Sequence, residues 1–184
     1  MTLSYVLPGV AGLVLIWAIL AYQRLAKARR RVDDASSALD AQLELRHDLV
    51  PKLVESVKEH AADDRAILAR VVETRFQAES SLEPSEALRA EARLTAALAS
   101  LRARAEHYPD LRREDDFHLL RAQLDEIEDE IQAARRVYNA GVETYNARVR
   151  GLATVPIARA MSFRPRETFE IELPAEPATP QVAF

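Results

Sequence analysis

Glu44 and His47 are the residues whose types and spacing come nearest to a metal site in this chain. They form E-x-x-H, which places a carboxylate and an imidazole on one helical face, as in di-iron helical bundles. Such a site needs a second E-x-x-H and further inward carboxylates, and the sequence contains no second E-x-x-H. The neighbouring Arg46 would also repel a cation. We therefore predict no metal and no cofactor.

Other catalytic chemistry is not indicated either. The chain has no cysteine, no glycine-rich elbow around a serine and no phosphate-binding loop. His60 and His107 fall at predicted helix ends, where neutral or C-capping roles are usual. The net charge of −4 argues against binding to a nucleic-acid backbone, which needs a basic face. We predict that the protein is not an enzyme and does not bind nucleic acid.

The stretch QLELRHDLVPKLVES, residues 42–56, instead puts polar groups into an apolar helical stripe. Arg46 repeats at seven residues with Leu39 and Leu53, so it must point inward or into a groove. Pro51 cannot donate to the carbonyl of His47, which predicts a bend there. An antiparallel fourth helix would bring residues 125–129 near Arg46. Its charge would then be neutralised by one of three acids: Asp125, Glu128 or Asp129.

A second polar insertion repeats one heptad apart, as Tyr138-Asn139 and Tyr145-Asn146. The same register places these pairs opposite the small residues Ala35 and Ala28. Two interpretations remain open for both insertions. Buried polar groups can fix the alignment of long helices, or they can line a groove for a partner's peptide or a lipid headgroup. The candidate residues are Gln42, Arg46, His47, Pro51, Tyr138, Asn139, Tyr145 and Asn146.

Four amphipathic helices must position these residues, over about 24–60, 63–79, 84–107 and 115–150. Asp63 or Asp64 suits the N-cap of the second helix. The unbroken 3–4 spacing of the fourth helix implies near-parallel helix packing. Two helices are long and two are shorter, and short connections favour antiparallel neighbours. The predicted fold is all-α, with an antiparallel up-and-down four-helix bundle at 24–150.

The N-terminal stretch has the character of a membrane anchor. Residues 3–22 carry no charge and match the roughly 20 residues of a membrane-spanning helix. A cleaved signal peptide would need a basic region before the apolar run and a small-residue cleavage site after it, and neither is present. We predict a single-pass anchor, residues 1–23, in the inner or plasma membrane. The positive-inside rule puts the N-terminus outside and the rest in the cytoplasm, because five basic residues follow: Arg24, Lys27, Arg29, Arg30 and Arg31.

The chain after residue 150 is predicted to return to the membrane surface. Residues 151–173 form a membrane-proximal extended segment, in which 151–166 either lie among headgroups or pack as a loop on the long helices. Within the extended segment, TFEIEL (168–173) alternates like a short strand. Residues 174–184 have the composition of a disordered tail.

Several motifs together resemble the LemA family of membrane-anchored helical proteins. They are the anchor with its basic patch, QLELRHDLVPKLVESVK, YPDL, ARRVYNAGVETYNARVR and FRPRETFE, and they cover roughly residues 5–170. The resemblance implies a four-helix up-and-down bundle behind one transmembrane helix, and it carries over no assigned enzymatic activity. Leu45 and Lys52 depart from the expected pattern, which has a basic residue and an asparagine there.

These observations favour a non-enzymatic scaffold or adaptor of a bacterial-type cell envelope. Its bundle would face protein partners at the cytoplasmic side of the membrane. The predicted partners are membrane lipids and other envelope proteins. The alternative is a lipid-organising protein of the membrane surface that uses the basic residues after the anchor and residues 151–166.

Overall fold

The computed structural model describes residues 3–58 and 64–169, and this part of the chain is helical without any strand. The predicted all-α class is therefore confirmed for the described residues. One 3-10 turn, Leu111–Arg113, precedes the fourth helix. The helices in chain order are α1 (Leu3–Lys58), α2 (Arg65–Ser80), α3 (Pro84–Ala105), α4 (Asp115–Arg150) and α5 (Val155–Ala160).

Helix α1 runs for 56 residues without interruption. The anchor (1–23) and the first bundle helix (about 24–60) were predicted as separate elements, but the helix passes from one into the other. No glycine or proline lies between Trp17 and Leu49 to break it. Among the described residues, α1 is the one helix long and apolar enough to cross a membrane, judged by length and composition.

Helix α2 has Asp64 as its N-cap, although the Asp64 side chain makes no capping hydrogen bond. Helix α3 begins with Pro84 in its first turn. Proline suits that position because the first N–H groups of a helix have no intrahelical partner. The buried side of α2, which includes Leu68 and Val71, packs against α3.

The described chain divides into two compact units. The core unit contains residues 42–58 and 64–130, and the anchor unit contains residues 3–41 and 131–168. The core unit has one apolar cluster to which four helices contribute: Val50 and Val57 from α1, Leu68 and Val71 from α2, Leu94, Leu98 and Leu101 from α3, and Phe117 and Leu124 from α4.

The anchor unit has its own apolar cluster, made by α1, α4 and α5. Its buried members are Leu25, Ala28, Val32, Val142, Tyr145, Val149 and Ala158. Helix α4 lies against α1 at Gly141, where an added Cβ would make an ordinary van der Waals contact, 3.5 Å from a methyl carbon of Val32.

The segment predicted to be extended, 151–173, contains helix α5. Pro156 lies in its first turn, where proline is tolerated, and Ala158 is buried. The helix ends in a Schellman arrangement. Phe163 N–H donates to Ala158 O at 2.9 Å, Ser162 N–H donates to Arg159 O at 3.3 Å, and Ser162 has a φ of 57°. A six-residue helix is too short to show a periodic pattern of apolar residues in the sequence, so the sequence did not predict it.

The remaining predictions for the C-terminal region are addressed only in part. Thr168 and Phe169 are not in a strand. The rest of TFEIEL, 170–173, and the predicted disordered tail, 174–184, lie outside the described residues.

Candidate functional site

Arg46 lies inside the core unit, with only 1% of its surface exposed. Its Nη1 donates to Glu128 Oε2 on α4 and to Thr95 Oγ1 on α3, each at 3.0 Å. Its Nη2 donates to Glu91 Oε2 on α3. Removing a guanidinium from water is costly unless paired charges and hydrogen bonds replace the water. Two carboxylates and a hydroxyl from two other helices supply that replacement.

The acids near Arg46 differ in part from the sequence-based expectation. Glu128 is one of the three carboxylates that the antiparallel register brought near Arg46. Asp125 instead pairs with Arg102, at 2.8 Å, and Asp129 is exposed. Glu91 was not considered as a partner. Its signal was present, because Glu91 lies three and seven residues before Leu94 and Leu98 and so shares their apolar face.

Both oxygens of Glu91 are engaged. His47 Nε2 lies 2.8 Å from Glu91 Oε1, while Arg46 binds Oε2. Burial alone would raise the pKa of Glu91, but the His47 hydrogen bond and the nearby Arg46 charge outweigh burial and leave that pKa below its ordinary value. Glu91 is therefore held as a carboxylate between two neighbouring residues of α1. We call Arg46, His47, Glu91, Thr95 and Glu128 the charge cluster.

Pro51 lies within α1 and does not end it. Because proline has no N–H, the carbonyl of His47 loses its usual helical donor. Arg75 of α2 replaces that donor: its Nε donates to His47 O at 2.7 Å. The proline thus creates a free backbone acceptor that ties α1 to α2.

Within the part of the chain that the structure describes, two further residues of the stretch 42–56 make no contact with the charge cluster that defines a role for them. Gln42 is half-buried, and Glu44 is exposed while His47 is buried, so the E-x-x-H pair does not face one cavity. Over residues 3–58 and 64–169, no three His, Asp or Glu side chains are grouped to hold a metal ion.

The YPDL motif has a structural role at the far end of α3. Tyr108 O–H donates to Asp64 Oδ2 at 2.5 Å, and Arg104 Nε lies 2.9 Å from both Asp64 oxygens. The Asp64 carboxylate is thereby used by the end of α3 rather than by the N–H groups of α2, which explains why this N-cap residue makes no capping bond.

In the anchor unit, Asn146 holds an extended stretch of backbone. Its Nδ2 donates to Arg166 O at 2.7 Å, and Arg166 N–H donates to Asn146 Oδ1 at 2.9 Å. Tyr138 O–H donates to Glu167 O at 3.1 Å. The Arg166 side chain then reaches Asp33 of α1, at 2.6 Å. The polar residues of α4 therefore bind residues 166–167 of the FRPRETFE motif, an arrangement we call the backbone clamp.

The two Tyr-Asn pairs were expected to lie opposite the small residues Ala35 and Ala28, and the structure places each pair differently. Tyr145 is buried in one cluster with Ala28, and Tyr138 packs against that cluster. The Tyr138 hydroxyl, however, donates its hydrogen bond to the backbone oxygen of Glu167. Asn139 is half-buried. The sequence did not reveal the clamp, because the segment it holds has no periodicity of its own.

The basic residues after the apolar stretch remain at the surface. Arg24, Lys27, Arg29, Arg30 and Arg31 are all exposed on α1. Arg29 reaches Asp33 only at 4.0 Å. Arg148 of α4 donates from Nη1 to the backbone oxygen of Arg24 at 3.3 Å, which brings a sixth basic side chain to this level of α1.

Arg46→Ala should lower the free energy of unfolding by about 3–5 kcal/mol, because it leaves two carboxylates without their cation. The measurement is urea unfolding of the full-length chain in detergent, followed by circular dichroism. The matched control is Arg102→Ala, which breaks a partly exposed ion pair with Asp125 and should cost at most about 1 kcal/mol. In the double variant with Glu91→Ala, the two losses should not add. Equal costs for the two single arginine variants would contradict the prediction.

Glu91 should also make stability depend on pH. Its pKa is lowered on folding, so its contribution is complete above the ordinary value of 4.5 and is lost as the pH falls through the lower folded pKa. Glu91→Gln should therefore be less stable than the wild type at neutral pH, and the difference should shrink below about pH 4.5.

A urea series across pH measures this convergence. Glu126→Gln, which changes an exposed acid on α4, should run parallel to the wild type. Asp64, whose pKa is lowered chiefly by the Tyr108 hydroxyl, loses its contribution in acid in every variant and so cancels from the comparison. A constant Glu91→Gln deficit down to strong acid would refute the assignment.

The backbone clamp makes a prediction for hydrogen exchange. Asn146→Ala removes the acceptor of the Arg166 N–H, so exchange at that amide should accelerate by roughly tenfold, the equivalent of about 1.4 kcal/mol for a lost hydrogen bond. Glu143→Ala, on an exposed position of α4, is the control and should leave the rate unchanged. Unchanged protection of Arg166 in Asn146→Ala would show that the clamp does not order this segment.

Comparison with known proteins agrees with these motifs. No curated protein matches the chain. A family model described as the LemA family matches residues 35–184, a range that contains the charge cluster, the YPDL motif and the backbone clamp. The chain belongs to the LemA family.

Proposed function

We propose that the protein is a non-enzymatic scaffold, anchored in a membrane by the apolar part of α1, that presents a helical bundle to protein partners. The proposal includes a bacterial-type envelope, an outside N-terminus and a cytoplasmic bundle. The uncharged stretch at 3–22 and the exposed basic residues that follow support this orientation. The helix α1 continues unbroken beyond them.

We further propose the antiparallel up-and-down four-helix topology. Within the anchor unit, Arg24 contacts Arg148 and Val32 lies against Gly141. As the residue number rises along α1, the number of the contacting residue on α4 falls, as an antiparallel pair requires. Within the core unit, the charge cluster joins α1 to α3 and α4, and Arg75 joins α2 to α1. These contacts support a register role for Arg46 and Pro51.

The observation that carries the scaffold proposal is the outer face of α2. Phe76 is 67% exposed and Val72 is half exposed, at i and i+4 on a helix whose opposite face is buried. A pair of exposed apolar side chains at this spacing suits contact with an apolar stripe on a partner helix. Phe76 is also the type of aromatic residue that anchors protein interfaces.

The surroundings of this face support a protein partner of mixed charge. A polar groove of about 490 Å³ lies near the end of α2, and Glu86 and Arg93 of α3 are among its lining residues. Both signs of charge at the rim of an apolar contact are typical of protein–protein surfaces. We therefore propose an amphipathic helix of another envelope protein as the partner.

The alternative, a lipid-organising role at the membrane surface, is supported by the anchor unit. In this unit the five basic side chains after the apolar stretch are exposed. Leu152 is also exposed over 96% of its surface.

A photo-crosslinking residue at position 76 of the full-length chain in native membranes should give a discrete protein adduct. Val72→Asp should abolish that adduct, because a charge in an apolar contact is costly, while the helical circular dichroism signal stays unchanged. A crosslinker at Ala122, exposed on α4, is the matched control and should give no such adduct. The same adducts from positions 76 and 122, or an adduct that survives Val72→Asp, would refute α2 as the working surface.

A further inference from the structure

A groove in the anchor unit runs beside the apolar part of α1. Its volume is about 250 Å³. Small-molecule pockets usually measure about 300–1,000 Å³, so the groove is too small for a compact ligand of ordinary size and better matches part of a slender chain. It is lined by Leu13, Ile16, Trp17, Leu20, Ala21 and Arg24 of α1, and by Ala153 and Thr154.

The lining changes character along α1. From Leu13 to Ala21 every α1 side chain in the groove is apolar, and at Arg24 it is cationic. Leu13 and Arg24 are eleven positions apart along the helix, or about 16 Å at 1.5 Å per residue. The groove therefore has an apolar length and one basic end, which is the pattern of a lipid acyl chain below its headgroup.

The basic end of the groove lies between two stretches of sequence that carry no acidic residue. Arg148 donates to the backbone oxygen of Arg24, so two guanidinium-bearing residues lie at this level. Residues 21–31 and 145–166 contain basic side chains but no Asp or Glu. In the described part of the chain, neither Arg24 nor Arg148 forms an ion pair with a carboxylate. Guanidinium groups bind phosphate oxygens with charge-assisted hydrogen bonds, so a phosphate group complements this end.

The second wall of the groove is itself suited to lipid. Ala153 and Thr154 follow Leu152, which is 96% exposed and next in sequence to the groove-lining residues. In the same unit, the ring of Phe163 packs edge-on against Tyr22, with centroids 6.0 Å apart. Aromatic side chains are enriched where a membrane meets water, and a lipid environment would cover Leu152.

We propose that this groove binds one acyl chain of an anionic glycerophospholipid, with the lipid phosphate held by Arg24 and Arg148. The acid-free stretches 21–31 and 145–166 leave an excess of positive charge at this end among the described residues, which favours an anionic over a zwitterionic headgroup. The inference rests on the proposed membrane insertion of α1 but not on the protein-scaffold role.

Trp17 provides the measurement, because it lines the groove and is the only tryptophan of the chain. Full-length protein is reconstituted into phosphatidylcholine vesicles that contain a small fraction of phosphatidylglycerol with brominated acyl chains. A second sample holds the same fraction of brominated phosphatidylcholine. Bromine quenches indole fluorescence at contact distance, so the anionic lipid should quench Trp17 more strongly and saturate at a lower fraction. Equal quenching by the two lipids would overturn the proposal.

Variants test the two parts of the site. Arg24→Gln and Arg148→Gln should each lower the preference for the anionic lipid about fivefold, the equivalent of about 1 kcal/mol per basic residue at a membrane surface. Arg30→Gln, which removes an exposed charge from α1 outside the groove, should change it little. An equal loss in Arg30→Gln would attribute the preference to general surface charge and overturn the site. Ala153→Phe should fill the groove and reduce quenching by both lipids without any change of charge; unchanged quenching would refute the acyl-chain position.

Two further arms separate the remaining explanations. Soluble glycerol phosphate in excess should not relieve the quenching; if it does, the site binds a free phosphate compound and the lipid assignment is wrong. Flotation of the reconstituted protein with the vesicles should succeed. Protein that does not float would refute membrane insertion of α1 and the lipid site with it, whereas floating protein without anionic preference would refute the lipid site alone and leave the anchor in place.

Discussion

The ionic contact of Arg46 with Glu91 and Glu128 is the constraint on which the core unit depends. A guanidinium that is 1% exposed has no water to stabilise its charge, so α3 and α4 must each bring a carboxylate to it. Sliding either helix by one turn, about 5.4 Å, would separate the charges in a poorly solvated interior. Apolar side chains tolerate such shifts far better, because the hydrophobic effect has no direction. We therefore propose that the charge cluster sets the register of α1 against α3 and α4, which the surrounding leucines and valines would not impose by themselves.

The two polar motifs share a principle that is not obvious from their residues. In each of them, backbone that regular secondary structure leaves unpaired obtains a hydrogen-bond partner from a side chain on another helix. Pro51 frees the carbonyl of His47, and Arg75 occupies it. The backbone after α5 has no helical partners at Arg166, and Asn146 provides both a donor and an acceptor there. The sequence allowed these residues to line a groove for a partner. In the described structure they instead form hydrogen bonds with other parts of the same chain.

The sequence predicted those features that depend on residues close together in the chain, and it missed those that depend on contacts between distant segments. Helical class and family were predictable because apolar spacing and motifs are local patterns, and the 3–4 spacing of the fourth helix continues without a break from Phe117 to Tyr145. Glu128 could be placed near Arg46 by counting residues along the first and fourth helices on the assumption that they are antiparallel. Glu91 was missed because one acid on an apolar face resembles a solvated residue until the facing helix is known. Helix α5 was missed because its end contacts, rather than a periodic pattern, define it.

Whether an arginine of this chain is buried or stays at the surface depends on the acidic residues that can pair with it. The chain carries 25 basic and 29 acidic residues, which suggests near balance, yet residues 21–31 and 145–166 contain no acid at all. In the core unit Arg46 obtains its counter-charge from α3 and α4 and becomes part of the interior. In the anchor unit Arg24 and Arg148 lie in acid-free stretches, next to apolar side chains that themselves lack a covering. Internal pairing satisfies the first arrangement, and for the second we propose an anionic phospholipid, which supplies negative charge and hydrocarbon in one molecule.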